Sequence, residues 1–180
     1  MTWQLRRAGA ADVPAIMAIE TAMFPTDAWS PEAMARDVSD PNCYYLVAFP
    51  PEAPQNIEAY AGLLAPRGAF EADIQTIAVA DVSRGRGRGR SLLRTLLDEA
   101  ARREVAHVFL EVRADNPVAQ ALYASEGFAE IGRKPRYYQP DDVDAVVMKL
   151  DVRGWRGAST GSASDADDSS GTAWDGGVCT

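Results

Sequence analysis

Cysteine and histidine are nearly absent from these 180 residues: two cysteines, Cys43 and Cys179, and one histidine, His107. Two cysteines at that separation build neither a disulfide framework nor a metal site. Cys43 lies inside an apolar run and reads as buried packing. His107, alone on an apolar strand, speaks against a metal centre and against a His-based nucleophile pair, and there is no G-x-S-x-G elbow. No apolar run approaches the length of a membrane span, and residues 1–7 lack the charged, apolar and small-residue succession of a secretory leader. A reducing, cytoplasmic setting with no membrane and no metal is therefore expected. The net charge of −8 argues against broad attraction to nucleic acid and leaves room for a basic partner segment.

The hydrophobic share of 47% is enough for a core without covalent help, so one domain over about residues 1–150 is expected. Residues 151–180 carry five aspartates against two arginines. From Gly157 onward Ser, Gly, Thr, Ala and Asp dominate, leaving too little apolar surface to offset chain entropy, so a disordered tail is expected there. Upstream, Leu5 reads as a short strand. Asp12 is placed to cap a helix ending near Met23, in which Ile16, Ile19, Glu20 and Met23 recur at three- and four-residue spacing. Ser30-Pro31 starts a second helix reaching about Val38. Strands are expected at Tyr44–Phe49, Ile57–Leu64 and Ala72–Val79, forming an antiparallel meander. A glycine-rich turn follows, then a helix with Leu92, Leu93, Leu96, Leu97 and Ala100 on one stripe and a strand over Val105–Val112. Asn116-Pro117 opens a helix that Gly127 ends, and strands near Phe128–Arg133 and Val143–Leu150 close the order. Strands first and crossover helices only later predict a mixed α/β (α+β) domain, not a doubly wound dinucleotide fold.

The strongest local signal is Ile77-Ala78-Val79 running into Arg84-Gly85-Arg86-Gly87-Arg88-Gly89-Arg90-Ser91. Glycines at alternate positions let the backbone bend close to a ligand, and the free N–H groups of a following first helical turn favour an anion. A phosphate-binding P-loop needs Lys and then Ser or Thr after its last glycine, whereas Arg90 follows Gly89. A dinucleotide turn belongs on the first strand of an alternating chain, and this one lies mid-chain. An arginine-glycine RNA-binding segment is usually unstructured, and this one is wedged between a strand and a helix. A pyrophosphate cradle fits best.

These residues resemble the R/Q-x-x-G-x-G/A motif of the GNAT superfamily of N-acetyltransferases. The resemblance extends through Leu110-Glu111-Val112-Arg113-Ala114-Asp115-Asn116, Ala121-Leu122-Tyr123 and Gly127-Phe128, and spans about Trp3 to Leu150. It implies the acyl-CoA N-acyltransferase fold, a mixed, mostly antiparallel sheet with a splayed central strand pair flanked by helices. It implies acetyl-CoA as co-substrate, with the backbone of Ile77, Ala78 and Val79 on the acetyl and pantetheine portion. Gly85, Arg86, Gly87, Arg88, Gly89 and Arg90 would hold the phosphates.

An acid on the apolar strand around Phe109, Leu110 and Val112 is costly unless paired or used. Glu111 is thus either an ion-paired glutamate or, as the resemblance implies, the proton acceptor. An α-amine with a pKa near 8 suits such a base better than a lysine near 10.4. Tyr123 is either aromatic packing or the acid that protonates the departing thiolate; its pKa near 10 exceeds the roughly 8.5 of a thiol. Asn116 reads as a helix cap, a contact to the cofactor, or both.

Arg136-Tyr137-Tyr138-Gln139-Pro140 followed by Asp144-Ala145-Val146-Val147-Met148 resembles the ending of RimI-type members. There the tyrosine pair, here Tyr137 and Tyr138, closes over a peptide N-terminus; otherwise the two rings are cross-strand packing. The resemblance implies acetylation of the N-terminal alanine of small-subunit ribosomal protein eighteen, by a monomer or weak dimer. Other protein N-termini, lysines or small-molecule amines remain alternative acceptors, and a non-catalytic acyl-CoA sensor is a different class.

Overall fold

The computed structural model describes residues 3–159. Seven strands form one sheet: β1 (Gln4–Arg7), β2 (Cys43–Phe49), β3 (Ala59–Leu64), β4 (Glu71–Val79), β5 (His107–Arg113), β6 (Ala129–Tyr138) and β7 (Val143–Asp151). Their order is β1-β2-β3-β4-β5-β7-β6, and β4–β5 is the parallel pair in an otherwise antiparallel sheet. The helices are α1 (Val13–Met23), α2 (Pro31–Ser39), α3 (Arg88–Arg102), α4 (Pro117–Ser125) and α5 (Val152–Ser159). This is the mixed, mostly antiparallel sheet flanked by helices that the resemblance implies.

Two apolar clusters lie on opposite faces of the sheet, because alternate residues of each strand point opposite ways. On β2, Leu46 and Ala48 join one cluster while Tyr45 and Val47 join the other. The first packs under α3, whose Leu92, Leu93, Leu96 and Leu97 are all fully buried, each contributing about 1.5–3 kcal/mol. The second packs under α1 and α2 through Ile16, Ile19, Met34 and Val38.

Local details depart from expectation in three places. Asp12 stands before α1 but makes no side-chain cap there; its carboxylate accepts from the Gly9 N–H at 2.8 Å and from Arg6 at 2.7 Å. A charged guanidinium is the stronger donor, which explains the choice. Strand β6 runs on past Arg133 to Tyr138, with a register shift between Lys134 and Tyr138 and left-handed backbone at Arg136. Finally, α5 carries ordered structure past residue 150, and its Val152 and Trp155 are buried in the α3-side cluster. The rest of the expected tail lies outside the described residues.

Strands β4 and β5 pair only through Glu71↔His107, Ala72↔Val108 and Asp73↔Phe109. Beyond that point β4 continues to Val79 bonded to β3 alone, and β5 continues to Arg113 bonded to β7 alone. The two strands splay at mid-sheet, leaving the inner edge of Ile74–Val79 without a strand partner. Backbone groups on such an edge require a ligand, water or side chain.

Candidate active site

At the open end of β4 a short turn over Asp81–Ser83 leads to Gly85 (φ 75°) and Gly87 (φ 70°), and α3 begins at Arg88. A Cβ on either glycine would meet nothing within 4 Å, so glycine is required by the left-handed backbone rather than by space. The first helical bond here is from the Ser91 N–H to the Gly87 carbonyl at 3.0 Å. The N–H groups before it project from the helix end with the positive dipole behind them. They border a groove of about 650 Å³ walled by Val79, Gly85, Gly87, Gly89, Val118 and Leu122. Arg84 ties this turn to the strand, donating from Nε to the Val79 carbonyl at 3.4 Å.

The arginines divide in their roles. Arg88 is buried, ion-paired with Glu58 and stacked 4.7 Å over the Trp3 ring. Its side chain therefore braces the cradle from behind, while its backbone stays in the helix N-terminus. Burial pushes the Glu58 carboxyl up, but the Ser83 hydroxyl at 2.6 Å and Arg88 outweigh this and hold it below the ordinary value. Arg90 lines the groove, pairs with Glu126 and donates to the Ser125 Oγ at 2.9 Å. Glu126, raised by burial, is held low by Arg94 and Arg90. Arg86 is solvent-exposed.

On β5, Val108, Leu110 and Val112 belong to the α3-side core, so Phe109, Glu111 and Arg113 face the α1–α2 side. The Glu111 side chain is 21% exposed and ion-paired with Lys134 of β6. Both line a cavity of about 480 Å³ with Trp29, Asp73, Phe109 and Tyr137. Burial, together with the facing Glu111 and Glu71 carboxylates, pushes the Asp73 carboxyl up. The Lys134 ammonium, hydrogen-bonded to Glu111, sits 4.9 Å over the Tyr137 ring.

The tyrosine pair is split between its two expected roles. Tyr137 is 40% exposed on the cavity wall, whereas Tyr138 is buried, packed edge-on to Tyr137 at 5.2 Å and beneath Arg113 at 5.1 Å. Arg113 gathers Asp115 (3.0 Å), Asp141 (3.1 Å) and Asp27 (3.8 Å). These residues border a further cavity of about 690 Å³ with Phe24 and Asn116. Asn116 Oδ1 accepts from the Ala119 N–H at 3.1 Å, capping α4 as its position predicts.

Tyr123 is fully buried, edge-on to Phe128 at 5.9 Å. Its neighbours Leu122 and Ser125, rather than Tyr123 itself, line the groove. Ile77, Ala78 and Val79 are buried at the splay. Cys43 is buried as expected, and burial pushes its thiol up to about 11, a chemically quiet state. Among the described residues no cluster suits a metal ion, and no helix is long and apolar enough to cross a membrane. Sequence reasoning missed Trp29, held by Glu20 nine residues away, and Lys134 and the bracing acids Glu58 and Glu126, whose partners lie 23 to 36 residues away.

A glycine turn at a helix N-terminus, beside a splayed parallel pair with a carboxylate on the opposite face, is the arrangement that the acetyltransferase resemblance implies. The Acetyltransferase (GNAT) family matches residues 13–128, and the chain belongs to it. Within that family it is similar to the N-alpha-acetyltransferase RimI of Mycobacterium tuberculosis, 40% identical over 127 residues, 69% of this chain and 77% of that protein. It is also similar to the ribosomal protein bS18-alanine N-acetyltransferase of Escherichia coli K12, 44% identical over 84 residues, 46% of this chain and 57% of that protein. The crystal structure of the ribosomal-protein-S18-alanine N-acetyltransferase from Escherichia coli superposes with a TM-score of 0.74 at 31% identity, covering 84% of this chain and 94% of that one. The chain is an N-acetyltransferase of the RimI type.

Proposed function

We propose that this enzyme transfers the acetyl group of acetyl-CoA to the N-terminal α-amine of a protein in the cytoplasm, with the N-terminal alanine of ribosomal protein bS18 as its acceptor. The observation that carries the reading is the splay itself. The β4–β5 ladder stops at Asp73 opposite Phe109, so the two strands part between the glycine turn that follows β4 and the Glu111 cavity. The acceptor's identity rests on the RimI relatives.

The chain's own groups suit the reaction. Backbone N–H groups from Gly85 to Arg90 bind the pyrophosphate without needing side-chain charge. The unpartnered edge of Ile77 to Val79 supplies donors for the pantetheine portion, and an N–H near Val79 polarises the thioester carbonyl as negative charge grows on its oxygen. Acetyl-CoA supplies the activated acyl group. Glu111 is paired with the Lys134 ammonium, which the acceptor amine displaces. Glu111 takes a proton from the acceptor amine, directly or through one water, as that nitrogen attacks the carbonyl carbon and the C–S bond breaks. Tyr123 is assigned the proton that the departing sulfur needs, a role in which its buried hydroxyl must reach the thiolate past the groove-lining Leu122 and Ser125. Asn116, beyond capping α4, lines the cavity at Arg113, which shares Arg84, Pro117 and Val118 with the cofactor groove, and from there its side chain would reach the cofactor.

The test is CoA release with three acceptors: a peptide carrying the mature bS18 N-terminus, an N-terminally blocked lysine peptide, and spermidine. Turnover confined to the first is expected. Turnover only with the others would move the acceptor elsewhere in the family, and acetyl-CoA binding without turnover on any amine would make the chain a sensor.

A further inference from the structure

Glu20 is fully buried on α1 and outside the catalytic groups named above. Its Oε1 accepts from the Trp29 backbone N–H at 2.9 Å. Its Oε2 accepts from the Tyr60 hydroxyl of β3, and the Thr76 hydroxyl of β4 lies 3.3 Å from that Tyr60 oxygen. Thr76 belongs to the splayed stretch of β4, and Tyr60 pairs in register with Ala78. One carboxylate thus links α1, two central strands and the segment that joins α1 to α2.

That segment forms the acceptor side of the site. Trp29 lines the Glu111 cavity, and Phe24, Pro25, Thr26 and Asp27 line the neighbouring cavity at Arg113. None of them lines the groove at the anion cradle. The segment has no helix or strand of its own.

We propose that Glu20 is a positioning residue for the acceptor: its carboxylate clamps the segment 24–30 onto the sheet, and protonating it loosens the acceptor's site while leaving the acetyl-CoA groove in place. This inference rests on the acceptor-side reading given above. As an anion Glu20 receives two donors, Trp29 N–H and Tyr60 O–H, while Thr76 donates to Tyr60. Protonated, it becomes a donor to Tyr60, which must then turn its own hydrogen toward Thr76, and the bond from Trp29 loses its charge assistance.

The surroundings place this change near neutral pH. Burial pushes the Glu20 carboxyl up to about 7; the Trp29 N–H opposes this and Asp27 adds to it. The groups facing it are Tyr60 from β3, Thr76 from β4, Asp27 from the segment itself and Tyr45 from β2, whose hydroxyl Glu20 helps to push up. No arginine or lysine contacts it among the described residues.

The deciding experiment compares wild type with Glu20→Gln, which keeps the shape and mimics the protonated state. Acceptor KM and acetyl-CoA KM are measured from about pH 5.5 to 8.5, alongside the fluorescence of Trp29 in the enzyme without acceptor. A charge-assisted bond reduced to a neutral one predicts an acceptor KM about fivefold higher in Glu20→Gln at the alkaline end, converging with wild type at the acid end. The acetyl-CoA KM stays level. Trp29 fluorescence titrates near pH 7 in wild type, not in Glu20→Gln, and at higher pH in Tyr60→Phe, where the anion has lost a donor. A pH-independent KM ratio, an equal change in both KM values, or a wild-type Trp29 signal that does not titrate would each overturn the proposal. If no amine is turned over, the proposed acceptor falls, while the fluorescence titration still decides the role of Glu20.

Discussion

The same buried carboxylate makes a prediction about stability that needs no substrate. Glu20 moves from an ordinary 4.5 to about 7 on folding. A raised acid holds its proton more tightly in the folded state, so its contribution is fully present below about pH 4.5 and is lost as pH rises through 7. At roughly 1.4 kcal/mol per pH unit between those values, the folded enzyme loses about 2 kcal/mol by pH 6 and about 3 kcal/mol by pH 8. Glutamine at position 20 cannot ionise and escapes the loss. Glu20→Gln should therefore match wild type near pH 4.5 and exceed it by about 3 kcal/mol at pH 8, a rise in Tm of roughly 6–12 °C for a chain of this size. The assay is a pair of thermal or urea unfolding series at several pH values, read as the difference between the two proteins. Taking the difference cancels Asp73, also raised by burial, and Glu58 and Glu126, which are lowered and act with the opposite sign. A difference that is flat with pH, or a variant less stable than wild type at pH 8, would refute the argument.

Three further outcomes are expected. Glu111→Gln should lower kcat by about 10²–10⁴-fold, the usual worth of a positioned base, with acetyl-CoA affinity unchanged by calorimetry; an undiminished kcat would remove Glu111 from the mechanism. Gly87→Ala places a side chain on left-handed backbone at φ 70°, straining it by about 1–2 kcal/mol. It should raise the KM for acetyl-CoA well beyond that for the acceptor, and equal KM changes would count against the cradle. Ending the chain at Leu150 removes the buried Val152 and Trp155 and should lower unfolding free energy by about 3–5 kcal/mol in urea titrations; an unchanged midpoint would make α5 dispensable.

What could be read from the sequence was what local chemistry determines. Gly85 and Gly87 were legible because positive φ before a helix has few solutions, and Asn116 and Ser30 because caps act over three residues. The order of strands and the two helical stripes followed from periodicity, while the family followed from the resemblance carried by the glycine turn and the residues around Glu111, Asn116 and Tyr123. Side-chain partners could not be read this way. Arg88 and Arg90 looked like phosphate ligands by position, yet Glu58 and Glu126 reach them across 30 and 36 residues of chain. Trp155 lies past the expected domain end at about residue 150 and just before the tail that starts at Gly157, and nothing in its local pattern showed that it joins the α3-side core. Lys134 was invisible as a partner of Glu111 because β6 and β5 are separated by β7 in the sheet, and no pattern in either strand encodes that diagonal contact.

Glu20 shows the limit most clearly. Its spacing with Ile16 and Ile19 placed it on the buried stripe of α1, where a glutamate conflicts with binary patterning. Such a conflict is retained only where something compensates for it. A neutral side chain would leave the fold more stable by about 3 kcal/mol at pH 8, as worked above, so packing alone does not account for the acid. The partners do: a backbone N–H in the acceptor wall and a hydroxyl pair leading to the splayed strand. Stability at neutral pH is exchanged for a fixed acceptor wall, and the two readouts must then move in opposite directions. Glu20→Gln should be the more stable enzyme and the poorer binder of its acceptor. A variant that gains stability with no change in acceptor KM would leave the carboxylate without the role argued for it.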